Sequence, residues 1–85
     1  MRYIVRVEVS LKPGHSDPEG ETTREALLEL NYPVNSVRVG KVYEILLEAS
    51  STDDAQVKVE EMCKRLLANP VKDDYKYEIK EACDE

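Results

Sequence analysis

The chain contains no phenylalanine and no tryptophan, so its core has to be built from five tyrosines and aliphatic side chains. It has one histidine, His15, and two cysteines, Cys63 and Cys83. A nucleophile–base set needs a histidine held by a neighbouring group, and His15 sits in a loop with no partner to orient it. The cysteines are not spaced as a metal pair and lie in no redox motif. Free thiols in a reducing cytoplasm are the first expectation, and a disulfide tying the C-terminus to the second helix is the alternative. No apolar run exceeds three residues, Tyr3-Ile4-Val5 and Ile45-Leu46-Leu47 being examples. Neither a membrane span nor a signal-peptide core is therefore expected. Positive charge is also in deficit: 12 Lys and Arg against 18 Asp and Glu give a net charge of −6. Such a surface repels phosphate backbones, so nucleic acid is not an expected partner.

What is present reads as one small domain spanning residues 1–85. Residues 2–10 alternate with period two: Tyr3, Val5, Val7 and Val9 share one face, and Arg2, Ile4, Arg6 and Glu8 the other. Residues 11–20 break that pattern, with Pro13-Gly14 suited to a tight turn in which Gly takes a positive φ. Asp17-Pro18 reads as N-cap and first helical residue, opening a helix over 18–30 whose stripe is Thr23, Ala26, Leu27 and Leu30. Asn31 suits the left-handed residue that ends the helix, and Pro33 prevents its continuation.

A second strand is predicted over 34–39, with Gly40-Lys41 as turn or bulge into a third strand over 42–49. Thr52 or Asp53 is the expected cap of a second helix running to 68, with Ala55, Val59, Met62, Cys63, Leu66 and Leu67 on its stripe. Asn69-Pro70 stops it, and residues 71–81 form the last strand, with Tyr75, Tyr77 and Ile79 on one face. Residues 82–85 are a short acidic end expected to fray. The order is βαββαβ, an α+β class chain. Right-handed crossovers favour a ferredoxin-like antiparallel sheet with both helices on one face, strands one and three central, strands two and four at the edges.

The chemistries this fold hosts can be tested against the residues. An RNA-recognition sheet needs aromatics on the open face, where the chain offers Ile4, Arg6, Glu44 and Leu46. A soft-metal carrier needs a Cys-x-x-Cys after the first strand, and residues 11–20 contain no cysteine. A phosphate-cradling hydrolase loop would carry an Arg, where this one has Lys12 and Gly14. No catalytic residue and no metal ligand is therefore assigned. An ACT-like regulatory domain binding a small metabolite stays open as an alternative, because its ligand positions lie in loops and edges that sequence reads poorly. What stands out is surplus apolar surface: Ile4 and Leu46 on a face without a helix, and Leu28 and Val57 off their helices' stripes, all self-association candidates.

Read together, several segments resemble the PurS family, the small subunit of phosphoribosylformylglycinamidine (FGAM) synthase. They are Leu11-Lys12-Pro13-Gly14, Asp17-Pro18-Glu19-Gly20, Tyr32-Pro33-Val34, Ser36-Val37-Arg38-Val39-Gly40-Lys41, and Met62-Cys63 followed by Leu66-Leu67-Ala68-Asn69-Pro70-Val71. Asn31 departs from the family's usual Gly before the Tyr, and both tolerate the left-handed cap.

The resemblance implies a cytoplasmic, non-catalytic but obligatory subunit of an ATP- and glutamine-dependent C–N ligase in purine biosynthesis. Such a subunit is a homodimer or higher oligomer that bridges a synthetase (PurL-type) and a glutaminase (PurQ-type) subunit and supports ammonia transfer between them. ATP and Mg serve the complex, and no cofactor is implied for this chain. The partner-contact candidates are Lys12, Pro13 and Gly14 in the first loop and Arg38, Gly40 and Lys41 in the second. Turn geometry accounts for the Pro and Gly residues, whereas it does not demand the charges of Lys12, Arg38 and Lys41.

Overall fold

A computed structural model describes residues 1–82 of the chain. The expected acidic end lies almost wholly outside the described residues, as does the thiol of Cys83. β1 (Arg2–Leu11) is followed by α1 (Pro18–Glu29), β2 (Gly40–Glu48), α2 (Thr52–Met62), a π-helical turn (Cys63–Leu67) and β3 (Asp73–Glu81). The sheet is antiparallel throughout, ordered β2-β1-β3, with Tyr3 opposite Leu47 and Val5 opposite both Ile45 and Ile79.

The period-two pattern of β1 is obeyed strictly. Tyr3, Val5, Val7 and Val9 are buried, and the alternating side chains face out. α2 lies on that inner face and adds Ala55 and Val59, and the π-helical turn adds Cys63; none of the three touches solvent. Tyr43, Ile45 and Leu47 from β2 and Tyr75, Tyr77 and Ile79 from β3 flank the core half-buried. Cys63 is a free, buried thiol, pushed up in pKa mainly by its burial.

The α+β class and antiparallel sheet are as expected, and four details differ. Residues 34–39 form no strand and bend at Asn35, so the sheet of the described residues has three strands; β1 alone is central, and β2, the expected third strand, is an edge. Gly40-Lys41 is not a turn: the chain runs straight through it into β2. The glycine is needed there because a Cβ would stand 2.9 Å from the Val9 carbonyl oxygen. α2 is capped by Ser51, whose Oγ accepts from the Asp54 amide at 3.1 Å, one residue before the expected cap. Finally, the amide of Ala68 donates to the Cys63 carbonyl at 2.9 Å. That wider turn rotates Leu66 out of the stripe, leaving it 83% exposed.

The largest departure concerns α1. Only α2 lies across the sheet; α1 buries none of its residues except Gly20. Ala26, Leu28 and Leu30 are exposed and Leu27 is half-buried. A ten-residue strand is about 33 Å long and a twelve-residue helix about 18 Å. Laid end to end they account for the molecule's 50 Å long axis. Residues 12–39 form an arm that leaves the sheet at the end of β1 and returns to it at the start of β2.

Candidate functional site

The two motif loops meet at the base of this arm. Lys12 starts a turn in which His15 N donates to the Lys12 carbonyl at 3.3 Å and Gly14 takes φ +90, the positive value expected of it. Lys12 is tied to the far edge of the sheet. Its amide donates to the Lys72 carbonyl at 2.7 Å and its Nζ to the Pro70 carbonyl at 3.3 Å. The Arg38 guanidinium donates to the Leu11 carbonyl, so this side chain crosses from the second loop to the end of β1. Lys41, at the start of β2, is exposed. Lys12, Arg38 and Lys41 thus lie at one end of the sheet, although 26 or more residues separate Lys12 from the other two.

Asp17 is the clasp between these loops, and its second role was not evident from sequence. Its Oδ1 accepts from the Gly20 amide at 2.9 Å, the helix cap that the Asp-Pro pair announces. Its Oδ2 accepts from the Val39 amide at 2.8 Å, pinning the returning chain to the start of α1. The Val39 amide, then that of Gly20, hold its carboxyl below the ordinary range. Gly20 packs so closely on this crossing that a Cβ there would meet the Val37 carbonyl oxygen at 2.4 Å. The Asp-Pro-Glu-Gly motif therefore joins arm and returning chain as well as starting a helix.

A second polar cluster was also missed. Tyr75 and Tyr77 stack with ring centroids 6.5 Å apart, and both hydroxyls donate to Glu60 of α2, at 2.8 and 2.7 Å. Glu60 is lowered in pKa chiefly by these bonds, while the Tyr77 phenol is pushed up to about 12 by the same carboxylate. Every member has its partner, so the cluster fastens α2 to β3 and offers no open catalytic group. The only sequence signal was the alternation that put Tyr75 and Tyr77 on the inner face.

Ile4 and Leu46 are direct cross-strand neighbours, as expected, and are 49% and 62% exposed on the outer face. Val42 is exposed on the same face, but the Arg6–Glu44 pair lies in the row between it and Leu46, and Glu8 pairs with Arg6 and Lys76. Leu28 and Val57 are exposed as well, but on α1 and α2, away from that patch. On the inner face a hollow of about 830 Å³ opens beside α2, lined by Val9, Val39, Tyr43, Leu67 and the charged Lys41 and Lys64. Among the described residues, no group of three His, Cys, Asp or Glu side chains converges as a metal site. No helix among them is long and apolar enough to cross a membrane.

A small α+β chain with a three-stranded antiparallel sheet, two helices and no open catalytic cluster among the described residues defines the class, and comparison with known proteins gives the family. The PurS family model, described as phosphoribosylformylglycinamidine (FGAM) synthase, matches residues 4–81. The PurS subunit of Bacillus subtilis (strain 168) is 46% identical over 80 residues, covering 93% of this chain and 94% of that one. The solved Thermus thermophilus PurS superposes at a TM-score of 0.86 with 40% identity, over 98% of this chain and all of the other. A chain of the PurLQS structure from Thermotoga maritima superposes at 0.86 with 30% identity, over 94% and 99%. The chain belongs to the PurS family. This sets aside the ACT-like alternative. The arm is about a third of the chain, so a relative that held it elsewhere would not superpose this fully at that score; the arm's position is a family feature.

Proposed function

We propose that this chain is the small, non-catalytic subunit of a glutamine-dependent FGAM synthase in purine biosynthesis. It joins a PurL-type synthetase and a PurQ-type glutaminase in the cytoplasm and supports ammonia transfer between them. The observation that carries the reading is the match along nearly the whole chain to PurS subunits, including a chain of the Thermotoga PurLQS structure. The residues fit that role: the polar clusters around Asp17 and Glu60 are internally satisfied, and the charged groups left over face outward. ATP and magnesium belong to the synthetase subunit in this reading, and this chain contributes contact surface.

Lys12, Arg38 and Lys41 supply the basic side of a contact with a carboxylate-bearing partner surface. Charge pairs of this kind govern specificity and association rate more than affinity. Ile4 and Leu46 on the outer face, with Leu28 and Val57 on the helices, supply apolar contact between copies or with a partner. The test is reconstitution. Synthetase and glutaminase subunits lacking this protein should have little glutamine-dependent FGAM formation, and adding it should restore the rate while leaving ammonia-dependent synthesis nearly unchanged. An equal glutamine-dependent rate with and without the protein would overturn the reading.

A further inference from the structure

Asp17 does more than the start of a helix requires, and the surplus bears on the basic loops. Residues 34–39 form no strand, so no ladder fixes where Arg38 and the chain leading to Lys41 stand. Contacts with the first loop fix them instead. Asp17 Oδ2 takes the Val39 amide at 2.8 Å, across 22 residues of sequence. The Val37 carbonyl oxygen sits where only a glycine at position 20 leaves room, 2.4 Å from the place of a Cβ. Arg38, between them, turns back over the first loop and donates to the Leu11 carbonyl. On its other side the first loop is fastened through Lys12 to Lys72 and Pro70. The relative places of Lys12, Arg38 and Lys41 thus depend on residues 37–39 being held against residues 11–20.

A carboxylate is a costly choice in a basic surface that meets carboxylates, because it cancels part of the charge. Helix capping does not demand it, since Ser, Asn and Asp cap about equally well. What the carboxylate adds is a second acceptor, and both oxygens are used, at 2.9 and 2.8 Å.

We propose that Asp17 is a positioning residue for partner binding: without touching the synthetase, it holds residues 37–39 against the first loop, so that Lys12, Arg38 and Lys41 form one surface before docking. This rests on the partner contact put forward above. Preformed presentation matters because a loop ordered only on docking subtracts its lost freedom from the affinity. With the Asp17–Val39 bond gone, part of the segment 34–39 has to be ordered at that moment. Ordering a single residue's backbone then weakens binding about tenfold.

The test is Asp17→Ser in the full chain, read by amide hydrogen exchange and by binding to the purified synthetase subunit. Serine keeps the cap to Gly20 and has no second oxygen for Val39. The Val39 amide should exchange faster, while Gly20 and the helix behind it change little. Synthetase binding should weaken about tenfold. Charge alone gives the opposite sign, because removing a carboxylate from a basic surface tightens its hold on carboxylates. A parent that binds and a variant that binds as tightly, or more tightly, would overturn the proposal and leave the partner contact standing. Equal exchange at Val39 in the two proteins would overturn it as well, whatever happens at Gly20. A parent chain that does not bind the synthetase would overturn the contact and the positioning role together.

Discussion

Replacing Gly20 with alanine tests whether the crossing of arm and returning chain is as tight as it looks. In an isolated helix the change would help by about 0.5–1 kcal/mol, since alanine gives up less backbone entropy than glycine. Here the new Cβ would stand 2.4 Å from the Val37 carbonyl oxygen and 2.7 Å from Asp17 Oδ2. The first neighbour is backbone, so relief needs a movement of about 1 Å by the returning chain. Overpacking of this kind costs about 1–3 kcal/mol. The movement also strains the Asp17 cap, at about 1 kcal/mol. The opposing terms leave a net loss of about 1–3 kcal/mol.

Urea unfolding at fixed protein concentration is the assay, because self-association would otherwise shift the midpoint. The midpoint should fall with little change in slope, and the melting temperature should drop by roughly 4–8 °C per kcal/mol lost. The sign decides the matter. If Gly20→Ala is as stable as the parent or more so, the carbonyl is not held against the helix and Asp17 is an ordinary cap.

The remaining predictions concern the tyrosine cluster and the two contact surfaces. In Glu60→Gln the Tyr77 phenol should fall from about 12 toward its ordinary value near 10, as followed by ultraviolet titration; an unmoved phenol would show that Glu60 is not its acceptor. The linkage has two limbs. Tyr77 is raised on folding, so its contribution is complete below its unfolded pKa and is lost as pH rises toward about 12, while Glu60 is lowered, so its contribution is complete above its unfolded pKa and is lost as pH falls through its folded value. Lys12→Ala combined with Lys41→Ala should keep the fold and weaken synthetase binding by about 5–30-fold, at about 0.5–1 kcal/mol for each exposed ion pair. Equal affinity in low and high salt for parent and variant would remove these lysines from the contact. Leu46→Glu should give a folded protein of lower native mass, and an unchanged mass would exclude the outer face from self-association.

Short-range physics made much of the chain legible in sequence. The alternation of Tyr3, Val5, Val7 and Val9 fixed which face of β1 is buried. Asp17-Pro18 announced the start of α1, Gly14 its positive φ, and Asn31 the left-handed stop, observed at φ 70. Each of these depends on a residue and its neighbours within a turn. The neighbouring positions of Ile4 and Leu46 also followed, because strand order and period two together set the register.

Other features needed distant parts of the chain to meet. Sequence could assign Asp17 one hydrogen bond because its partner is three residues away; the bond to Val39, 22 residues on, exists only where the arm returns. Glu60 looks like one more solvated carboxylate until α2 is laid on β3 beneath the two tyrosines. The straight passage through Gly40-Lys41 is the clearest case. A Gly-Lys pair fits a hairpin turn equally well, and the contact with the Val9 carbonyl that demands glycine in the straight form is invisible without β1 alongside. Sequence by itself thus determined the inner faces of β1 and β3 and the start and stop of α1. Tertiary structure decided which elements share a core, because that depends on the direction the chain leaves a strand, and a period of two leaves that direction open.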